Sequence, residues 1–393
     1  MVGARPSILL ARQDTPEVPA VPAEPAEPAK PEAPAEPPLK IPDGPNPFEG
    51  KKLFANPTWA TKLDQTAKAF ETAGDKENVA KVKAIQDIGT FVWVSDRRSL
   101  TNIDAAVEQA RAVQKATGKE QIVGLVLYNL PDRDCSAGES AGELTSADGG
   151  MEIYKKEYID VYAEKVAKAT DLTFAIVLEP DSLGNVITNQ KIEFCAKAVP
   201  VYEEGIAYAI SKLQFDHVNL YIDAAHGGWL GWDDNLEPTA KEFAKVVRMA
   251  GEGKKIRGFS TNVSNYNPFN MAVRENYTEY SHSWDENHYT QSLTPFLEAE
   301  GLPAHFIVDQ GRVALPGARE EWGDWCNVSP AGFGMAPGAS TGNNTLVDSI
   351  VWIKPGGESD GQCGMEGAPK AGAWFDEYVQ MLVDNADPTI TAA

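Results

Sequence analysis

The sequence predicts an α/β fold in which seven parallel strands and the helices between them form a barrel, preceded by a disordered Pro-rich segment. Three observations support this prediction. Seven short apolar runs each end in polar residues, amphipathic helical patterns lie between several of them, and no Gly-x-Gly-x-x-Gly turn follows the first run. Strands that alternate with helices are typical of a parallel sheet. The missing glycine motif counts against a dinucleotide-binding fold.

The composition of residues 1–46 predicts a linker or a disordered tail. Eight prolines recur at every third position from Pro16 to Pro37, mixed with alanine and glutamate. Polyproline II has three residues per turn, so these prolines line one edge of a semi-rigid spacer that cannot form a core. The apolar patch at residues 8–10 is shorter than the core of a signal peptide, which needs at least about seven residues. We expect one folded domain over residues 47–393.

The apolar runs and the patterns between them set the order of elements in that domain. The runs span residues 91–94, 122–128, 174–178, 218–222, 256–260, 306–308 and 350–353. Two helical stripes are Tyr202, Ile206, Ala209, Ile210 and Leu213, and Phe243, Val246, Val247 and Ala250. Apolar residues at these spacings share one helix face, as expected for a helix that packs on a sheet.

The third run is the most informative, because five apolar residues at positions 174–178 end abruptly in Glu179-Pro180-Asp181. A short run rich in branched residues suits a strand buried on both faces. Pro180 has no N–H and cannot continue a central ladder, so the strand must end there. Two carboxylates thus lie at the C-terminal end of a buried strand, where barrel enzymes carry their chemistry. The alternative is an ordinary strand end in which Asp181 caps a helix.

Charge and ligand spacing exclude several classes of function. The chain has 35 Lys and Arg against 57 Asp and Glu, a net charge of −22. Phosphate binding relies on cationic neutralisation, so nucleic acid and anionic membranes are not expected partners. No apolar run approaches the roughly 20 residues of a membrane span. The five His and four Cys residues show no ligand spacing, so we predict no metal and no cofactor.

The residues that follow the strands suggest a sugar ligand. Five tryptophans lie at or just after strand ends: Trp93, Trp229, Trp232, Trp322 and Trp325. Pyranose rings lay flat C–H faces against aromatic rings, and their hydroxyls need carboxylate, amide and cationic partners. We expect Trp229 and Trp232, which lie among glycine and aspartate, to be exposed. Trp322 and Trp352 are expected in the core.

Glycoside hydrolysis needs two carboxyl groups, of which one stays protonated and donates to the leaving oxygen. Asp134, Asp181 and Asp360 are candidates, each near a different strand end. His226 is an alternative general base, although a structural histidine is the expected interpretation. No Asp or Glu in these motifs is an obvious second nucleophile opposite Asp181, which favours an inverting reaction.

At these motifs the chain resembles glycoside hydrolase family 6, the cellobiohydrolase II and endoglucanase family, over about residues 46–390. The matching motifs are Tyr-x-x-Pro-x-Arg-Asp-Cys at residues 128–135, Ile-Val-Leu-Glu-Pro-Asp-Ser-Leu at residues 176–183, and residues 223–232, 322–327 and 354–360. The resemblance implies a distorted seven-stranded α/β barrel and an enzyme that cleaves the β-1,4-glucan of cellulose and cello-oligosaccharides. We also expect a monomer.

The resemblance implies a role for individual residues. Asp181 is the general acid, Asp134 raises its pKa and helps to position water, and Ser140 holds the water chain. Tyr128 distorts the sugar at the cleavage point, and Asp360, debated as a base, belongs first to a charge network. That network also contains Arg133, Arg312 and Lys354. The sugar platforms are Trp93, Trp229, Trp232 and Trp325, and the further substrate-binding residues are Asp223, His226, Asn265, Lys354 and Glu358. Ser95 stands where fungal relatives often have Asp, so no role is assigned to it.

Four cysteines allow three pairings, and the resemblance selects Cys135–Cys195 and Cys326–Cys363. Disulfides imply an oxidising compartment, and polymeric cellulose lies outside the cell, so we predict secretion. Sequons at Asn276 and Asn343 agree with that prediction.

Two loops cover the groove in this family, and their lengths do not decide between attack at chain ends and internal cleavage. The first, residues 135–150, looks full length, whereas the second, residues 357–369, looks short. We expect a partly open roof and a cellobiohydrolase-like enzyme, with a predominantly endo-acting glucanase as the alternative. Two remoter alternatives are a non-catalytic glycan-binding barrel and a barrel enzyme for phosphorylated sugars, which would need a phosphate site at residues 354–357.

Overall fold

The structure is a computed structural model that describes residues 36–391. Of the linker or tail predicted for residues 1–46, residues 1–35 lie outside the described residues. Residues from Pro38 onward form one compact unit. None of the described helices combines the length and the apolar character needed to cross a bilayer.

A single sheet of parallel strands forms the centre of the described chain. Its eight strands are β1 (Lys52–Leu53), β2 (Val92–Val94), β3 (Gln121–Leu127), β4 (Thr173–Leu178), β5 (Val218–Asp223), β6 (Gly258–Thr261), β7 (Phe306–Asp309) and β8 (Val347–Val351). The order is β1-β3-β4-β5-β6-β7-β8, and β2 also pairs with β3. Strands β2 to β8 are the seven predicted strands, and β1 is a two-residue addition.

The barrel is distorted because its first and last strands do not form a ladder within the described residues. β1 and β2 share one edge of β3, with Lys52 opposite Gln121 and Val92 opposite Leu125. Single hydrogen bonds join this side to the end of β8. The Phe91 N–H donates to the Trp352 carbonyl at 2.9 Å. The closure is thus weak, as expected for the distorted barrel that the motifs imply.

Helices surround the sheet. They are α1 (Pro57–Ala73), α2 (Lys76–Gln86), α3 (Thr101–Thr117), α4 (Gly150–Ile153), α5 (Asp160–Ala167), α6 (Ser182–Thr188), α7 (Glu193–Lys212), α8 (Asp233–Ala250), α9 (Glu286–Ala299) and α10 (Asp376–Asp384). A π-helical turn, Tyr154–Ile159, joins α4 to α5, and 3-10 turns lie at Arg98–Leu100, Ser146–Asp148 and Asn276–Thr278. Both predicted helical stripes are buried. The first lies on α7 and the residue that follows it, and the second lies on α8.

The core explains why the strands end where they do. All residues of β3 are buried, and five of the six in β4 are buried, so both strands are covered on both faces. A Cβ built on Gly124 would lie 2.5 Å from the Phe91 ring, so only glycine lets this ring pack against β3. Polar residues begin at the next positions in the chain, which places them together at the C-terminal edge of the sheet.

Candidate active site

A groove of about 580 Å³ lies at this C-terminal edge. It brings together twelve of the residues singled out from the sequence: Trp93, Tyr128, Asp134, Ser140, Asp181, His226, Trp229, Trp232, Asn265, Trp325, Lys354 and Asp360. They come from seven strands, β2 to β8, and the loops after them. The groove therefore collects carboxylates and aromatic rings that are far apart in the sequence.

Asp181 lies in the groove between the end of β4 and the start of α6. Its backbone has a left-handed φ of 68°, and its side chain makes no capping hydrogen bond to α6. The helix-cap interpretation of Asp181 is therefore wrong. A non-glycine residue in this conformation stores strain, which is common where a side chain must point into a site. Burial raises the pKa of Asp181 well above its ordinary value, and the negative charges of Asp223 and Asp134 raise it further.

Two buried carboxyl groups, those of Asp223 and Glu179, hold the backbone just after β4 and just after β3. The Asp181 N–H donates to Asp223 Oδ2 at 2.9 Å. Glu179 accepts the Asn129 N–H at 3.0 Å and the Tyr154 hydroxyl at 2.8 Å. Burial raises the pKa of Glu179 to about 7 and that of Asp223 to about 6, against the opposing effect of these donors. Neither carboxyl group lines the groove, so both act on the position and charge of their neighbours.

Asp134 and Ser140 belong to the loop that follows β3. The Ser140 N–H donates to Asp134 Oδ2 at 2.7 Å, which fixes this carboxylate against its own loop. Arg133 does not line the groove. Its guanidinium donates to the carbonyls of Ser140 and Tyr128 and lies 4.3 Å from the centre of the Tyr128 ring. One arginine thus joins the loop to the ring that faces the groove.

Asp360 has the opposite electrostatic surroundings. Arg312 Nη1 donates to its Oδ2 at 2.6 Å, and Lys354 Nζ lies 3.6 Å from its Oδ1. The Tyr266 hydroxyl and the Asn327 N–H also donate to Oδ2. Burial alone would raise the pKa of Asp360, but Arg312 and Lys354 outweigh it and the net pKa is lowered. The pKa values of Asp360 and Asp181 are therefore shifted in opposite directions.

Tryptophans form the walls of the groove. The Trp93 indole N–H donates to the Ile353 carbonyl at 2.8 Å, and that of Trp229 donates to the Thr188 hydroxyl at 2.7 Å. These bonds fix the edges of the rings. Trp229 and Trp232 are partly exposed, as expected.

Trp322 departs from the expectation of a core position, because it lines the groove and is only half-buried. Its ring packs over Gly228, where a Cβ would lie 1.9 Å away, and edge-on to Trp232 at 6.2 Å. The glycine lets the ring sit at the rim. Trp352 is buried, as expected.

His226 is a buried, neutral residue at the groove. Its Nδ1 accepts the Gly228 N–H at 3.2 Å and lies 3.2 Å from Asn267 Nδ2. Burial lowers the pKa of His226 to about 3, and the charge of Arg319 lowers it further. Within residues 36–391, no three His, Cys, Asp or Glu side chains are grouped so that they could hold a metal ion.

Several candidates lie outside the groove. Asp223 and Arg312 lie behind it, in contact with Asp181 and Asp360 respectively. Glu358 forms an ion pair with Lys62 at 2.7 Å. Other lining residues lie outside the motifs recognised in the sequence, among them Glu139, Asn185, Thr188, Asn235 and Ser264. The positions 181, 185 and 188 fall at helical spacing, a signal that could have placed Asn185 and Thr188 beside Asp181.

Both disulfides implied by the resemblance are present. Cys135 is bonded to Cys195, and Cys326 to Cys363. The first ties the loop after β3 to α7. The second ties the loop that carries Trp325 to the loop that follows Asp360. Both cross-links therefore hold segments that line the groove.

The chain is similar in sequence and in structure to known glycoside hydrolases. The model of the family "Glycosyl hydrolases family 6" matches residues 48–386. A 1,4-β-D-glucan cellobiohydrolase of Podospora anserina is 64% identical over 352 residues, which cover 88% of this chain and 84% of the relative. Endoglucanase-6B of Humicola insolens is 55% identical over 346 residues, 88% of this chain and 99% of the relative. A solved endoglucanase structure from Humicola insolens gives a TM-score of 0.86 at 54% identity, covering 88% of this chain and all of that one.

Proposed function

Because the chain belongs to glycoside hydrolase family 6, we propose that it hydrolyses the β-1,4-glucosidic bonds of cellulose and cello-oligosaccharides with inversion at the anomeric carbon. The observation that carries the proposal is the contrast between two carboxyl groups in one tryptophan-walled groove. Asp181 has a raised pKa and Asp360 a lowered one. Environments that push carboxyl pKa values apart give the two groups different roles in the chemistry: Asp181 can hold a proton to donate, and Asp360 supplies a fixed negative charge.

Asp181 is the general acid in this mechanism. Its proton passes to the glycosidic oxygen as the bond from that oxygen to the anomeric carbon breaks. A raised pKa keeps the proton on Asp181 until the leaving oxygen needs it. Tyr128 presses on the sugar at this point, and the charge of Asp134 helps Asp181 to stay protonated.

A water molecule attacks the anomeric carbon from the opposite face. Asp134 and Ser140 hold this water, and its proton passes to the Asp134 carboxylate as the bond from its oxygen to the anomeric carbon forms. Asp134 Oδ2 is already oriented for this by the Ser140 N–H. Asp360 is a poor base by comparison, since its low pKa and its donors Arg312, Tyr266 and Asn327 leave it little affinity for a proton. We assign Asp360 to the charge network that positions Lys354.

We propose cellobiohydrolase-like action under a partly open roof. Glu139 of the first loop reaches the second, because a Cβ built on Gly361 would lie 2.7 Å from Glu139 Oε2. The second loop is also held by Cys326–Cys363 and by the hydrogen bond from the Ser359 N–H to the Ala373 carbonyl. A roof that is joined at the contact between Glu139 and Gly361 still lets internal segments of a glucan enter the groove.

A predominantly endo-acting glucanase is the second candidate. The resemblance to a solved endoglucanase at 54% identity favours it. A sugar phosphate is a weaker candidate ligand, because the ammonium of Lys354 already faces Asp360 at 3.6 Å. Two disulfides and the polymeric substrate support secretion, and we also propose that the enzyme is a monomer.

Product analysis tests the proposal. The purified protein and its Asp181→Asn variant are incubated with cellohexaose, carboxymethylcellulose and a hexose phosphate. We expect the wild type to release short cello-oligosaccharides, chiefly cellobiose, and the variant to release almost none. Hydrolysis of the phosphate ester alone, or no release from either glucan, would contradict the proposed function. The fall in viscosity per reducing end released separates the exo candidate from the endo candidate.

A further inference from the structure

The loop between β6 and α9 carries an exposed aromatic ring beside the groove. Tyr280 is 83% exposed and Val273 is 76% exposed, whereas the other exposed large apolar side chains of residues 36–391 reach at most 49%. A single exposed apolar residue needs no explanation. The position of Tyr280 at the rim of a sugar-binding groove does call for one.

Contacts on both sides of Tyr280 place it at this rim. Three residues earlier, the Tyr277 ring lies 5.2 Å from that of Trp322, which lines the groove. Two residues later, His282 Nδ1 lies 2.9 Å from both carboxylate oxygens of Asp233, the residue after Trp232. The segment that carries Tyr280 is therefore anchored on both sides to the wall that Trp232 and Trp322 form.

The neighbouring aromatic rings already pack against other rings or cations. Tyr277 packs against Trp322, and Arg319 lies 5.8 Å from the Tyr277 ring centre. The Trp284 ring lies between Arg274 at 5.2 Å and His288 at 4.2 Å. Within the described chain, no ring stacking and no cation lies against Tyr280. Its ring is thus free for an external ligand.

We propose that Tyr280 is an outer platform for the glucan. The glucan packs on its ring at the point where it leaves the groove next to Trp232. This inference rests on the proposed function. The groove has a volume of about 580 Å³, so a glucan polymer extends beyond it and must cross its rim. The Tyr280 ring offers a flat face to the C–H face of a glucose unit. A neutral polymer also suits a chain with a net charge of −22, which repels anionic partners. Val273 adds apolar area to the same loop.

Adsorption to insoluble cellulose tests this platform without any turnover. The measurements use the Asp181→Ala background, so that the substrate is not consumed, and compare Tyr280→Ala, Tyr280→Phe and Met249→Ala. Met249 is 48% exposed near the far end of α8, about 24 Å along the helix from Asp233. It is a matched control for the loss of exposed apolar area.

We expect Tyr280→Ala to lower the partition coefficient on cellulose by at least about threefold, the size of effect expected when an aromatic contact residue is truncated. Tyr280→Phe keeps the ring and should bind like its parent, as should Met249→Ala. Unchanged adsorption of Tyr280→Ala would overturn the platform, and so would an equal loss in either of the other variants.

Turnover of a short substrate separates this platform from a general defect. With Asp181 intact, Tyr280→Ala should keep the wild-type kcat/KM on cellotetraose, and a matching fall there would overturn the platform. Self-association of the wild type that Tyr280→Ala abolishes would also overturn it, in favour of a contact between two copies. Failure of the wild type to hydrolyse any cello-oligosaccharide would refute the proposed function instead, while adsorption would still test Tyr280.

Discussion

At the scale of the residue, the chemistry depends on where each carboxyl group is placed rather than on how many there are. Asp181, Asp134 and Asp360 share one groove, yet of these three only Asp360 forms ion pairs, with Arg312 and Lys354. Asp181 has like charges around it and no cation in contact among the described residues. In the mechanism that we propose, the same type of side chain is thereby a proton donor at position 181 and a fixed charge at position 360.

Replacement of Asp181 by alanine should lower kcat on cellotetraose by about 10²–10⁴-fold, the range that general acid–base catalysis contributes. Binding of the oligosaccharide should remain, because the tryptophan walls are unchanged. An aryl cellobioside with an acidic phenol as leaving group needs less protonation, so its rate should fall much less. Steady-state kinetics on both substrates provides the check. A variant that kept a third of the wild-type rate on cellotetraose would show that Asp181 is not the acid.

Replacement of Asp223 by asparagine should shift the basic limb of the pH profile of kcat/KM to lower pH. Its charge helps to raise the pKa of Asp181, and the acid is active only while it is protonated. Activity is therefore lost as pH rises through the pKa of Asp181, and a lower pKa moves that loss to more acid conditions. The amide oxygen can still accept the N–H groups of Asp181 and Ala225.

Asp223 does not line the groove, so KM should change little in this variant. A basic limb that stayed in place would contradict the electrostatic role of Asp223. The sequence placed Asp223 among the sugar ligands, whereas its side chain lies behind Asp181. The direction of a side chain at a strand end depends on local twist, which the pattern of residue types does not record.

At the scale of the element, apolar runs predicted the strands well because burial on both faces requires them. The run at residues 174–178 lies within Thr173–Leu178, since Pro180 ends the ladder. The run at residues 256–260 starts earlier than its strand, Gly258–Thr261. β1 was missed because a two-residue strand has no periodicity to detect. Loop positions were harder, as the half-buried Trp322 shows: its place depends on Gly228, a neighbour that is remote in sequence.

The roof loops allow a prediction at this scale. Replacement of Glu139 by alanine should remove the contact at Gly361 and widen the roof. Internal cleavage of carboxymethylcellulose then becomes easier, so viscosity should fall further per reducing end released than with the wild type. Glu152→Ala, at an exposed position in α4, is the matched control and should behave like the wild type. An unchanged ratio in Glu139→Ala would mean that this contact does not limit entry.

At the scale of the whole molecule, several buried carboxyl groups are held with raised pKa values. Burial raises the pKa of Glu179 and Glu286 to about 7 and that of Asp223 to about 6. A carboxyl group whose pKa is higher in the folded than in the unfolded protein stabilises the fold when protonated. That stability is complete below the unfolded pKa, and it is lost as pH rises through the folded pKa. These three groups therefore favour the fold in mildly acid solution.

Glu286 offers a direct check, because its side chain accepts the Gly227 N–H at 2.9 Å and an Asn267 N–H at 2.7 Å. Glutamine can keep both contacts without a charge. Between pH 4.5 and about 7, the wild type should lose stability that Glu286→Gln retains, up to about 3 kcal/mol. Thermal unfolding across this range should show a smaller decline in Tm for the variant. An equal decline in Tm in the wild type and in Glu286→Gln would contradict a protonated, buried Glu286.

The central claim is that a water molecule, and not a carboxylate of the protein, attacks the anomeric carbon while Asp181 protonates the leaving oxygen. A retaining enzyme would need two carboxyl groups about 5–5.5 Å apart and a covalent intermediate. Proton NMR of the first minutes of cellotetraose hydrolysis, before mutarotation, reads the configuration directly. We predict that the new reducing end forms as the α-anomer. Initial accumulation of the β-anomer would contradict the account.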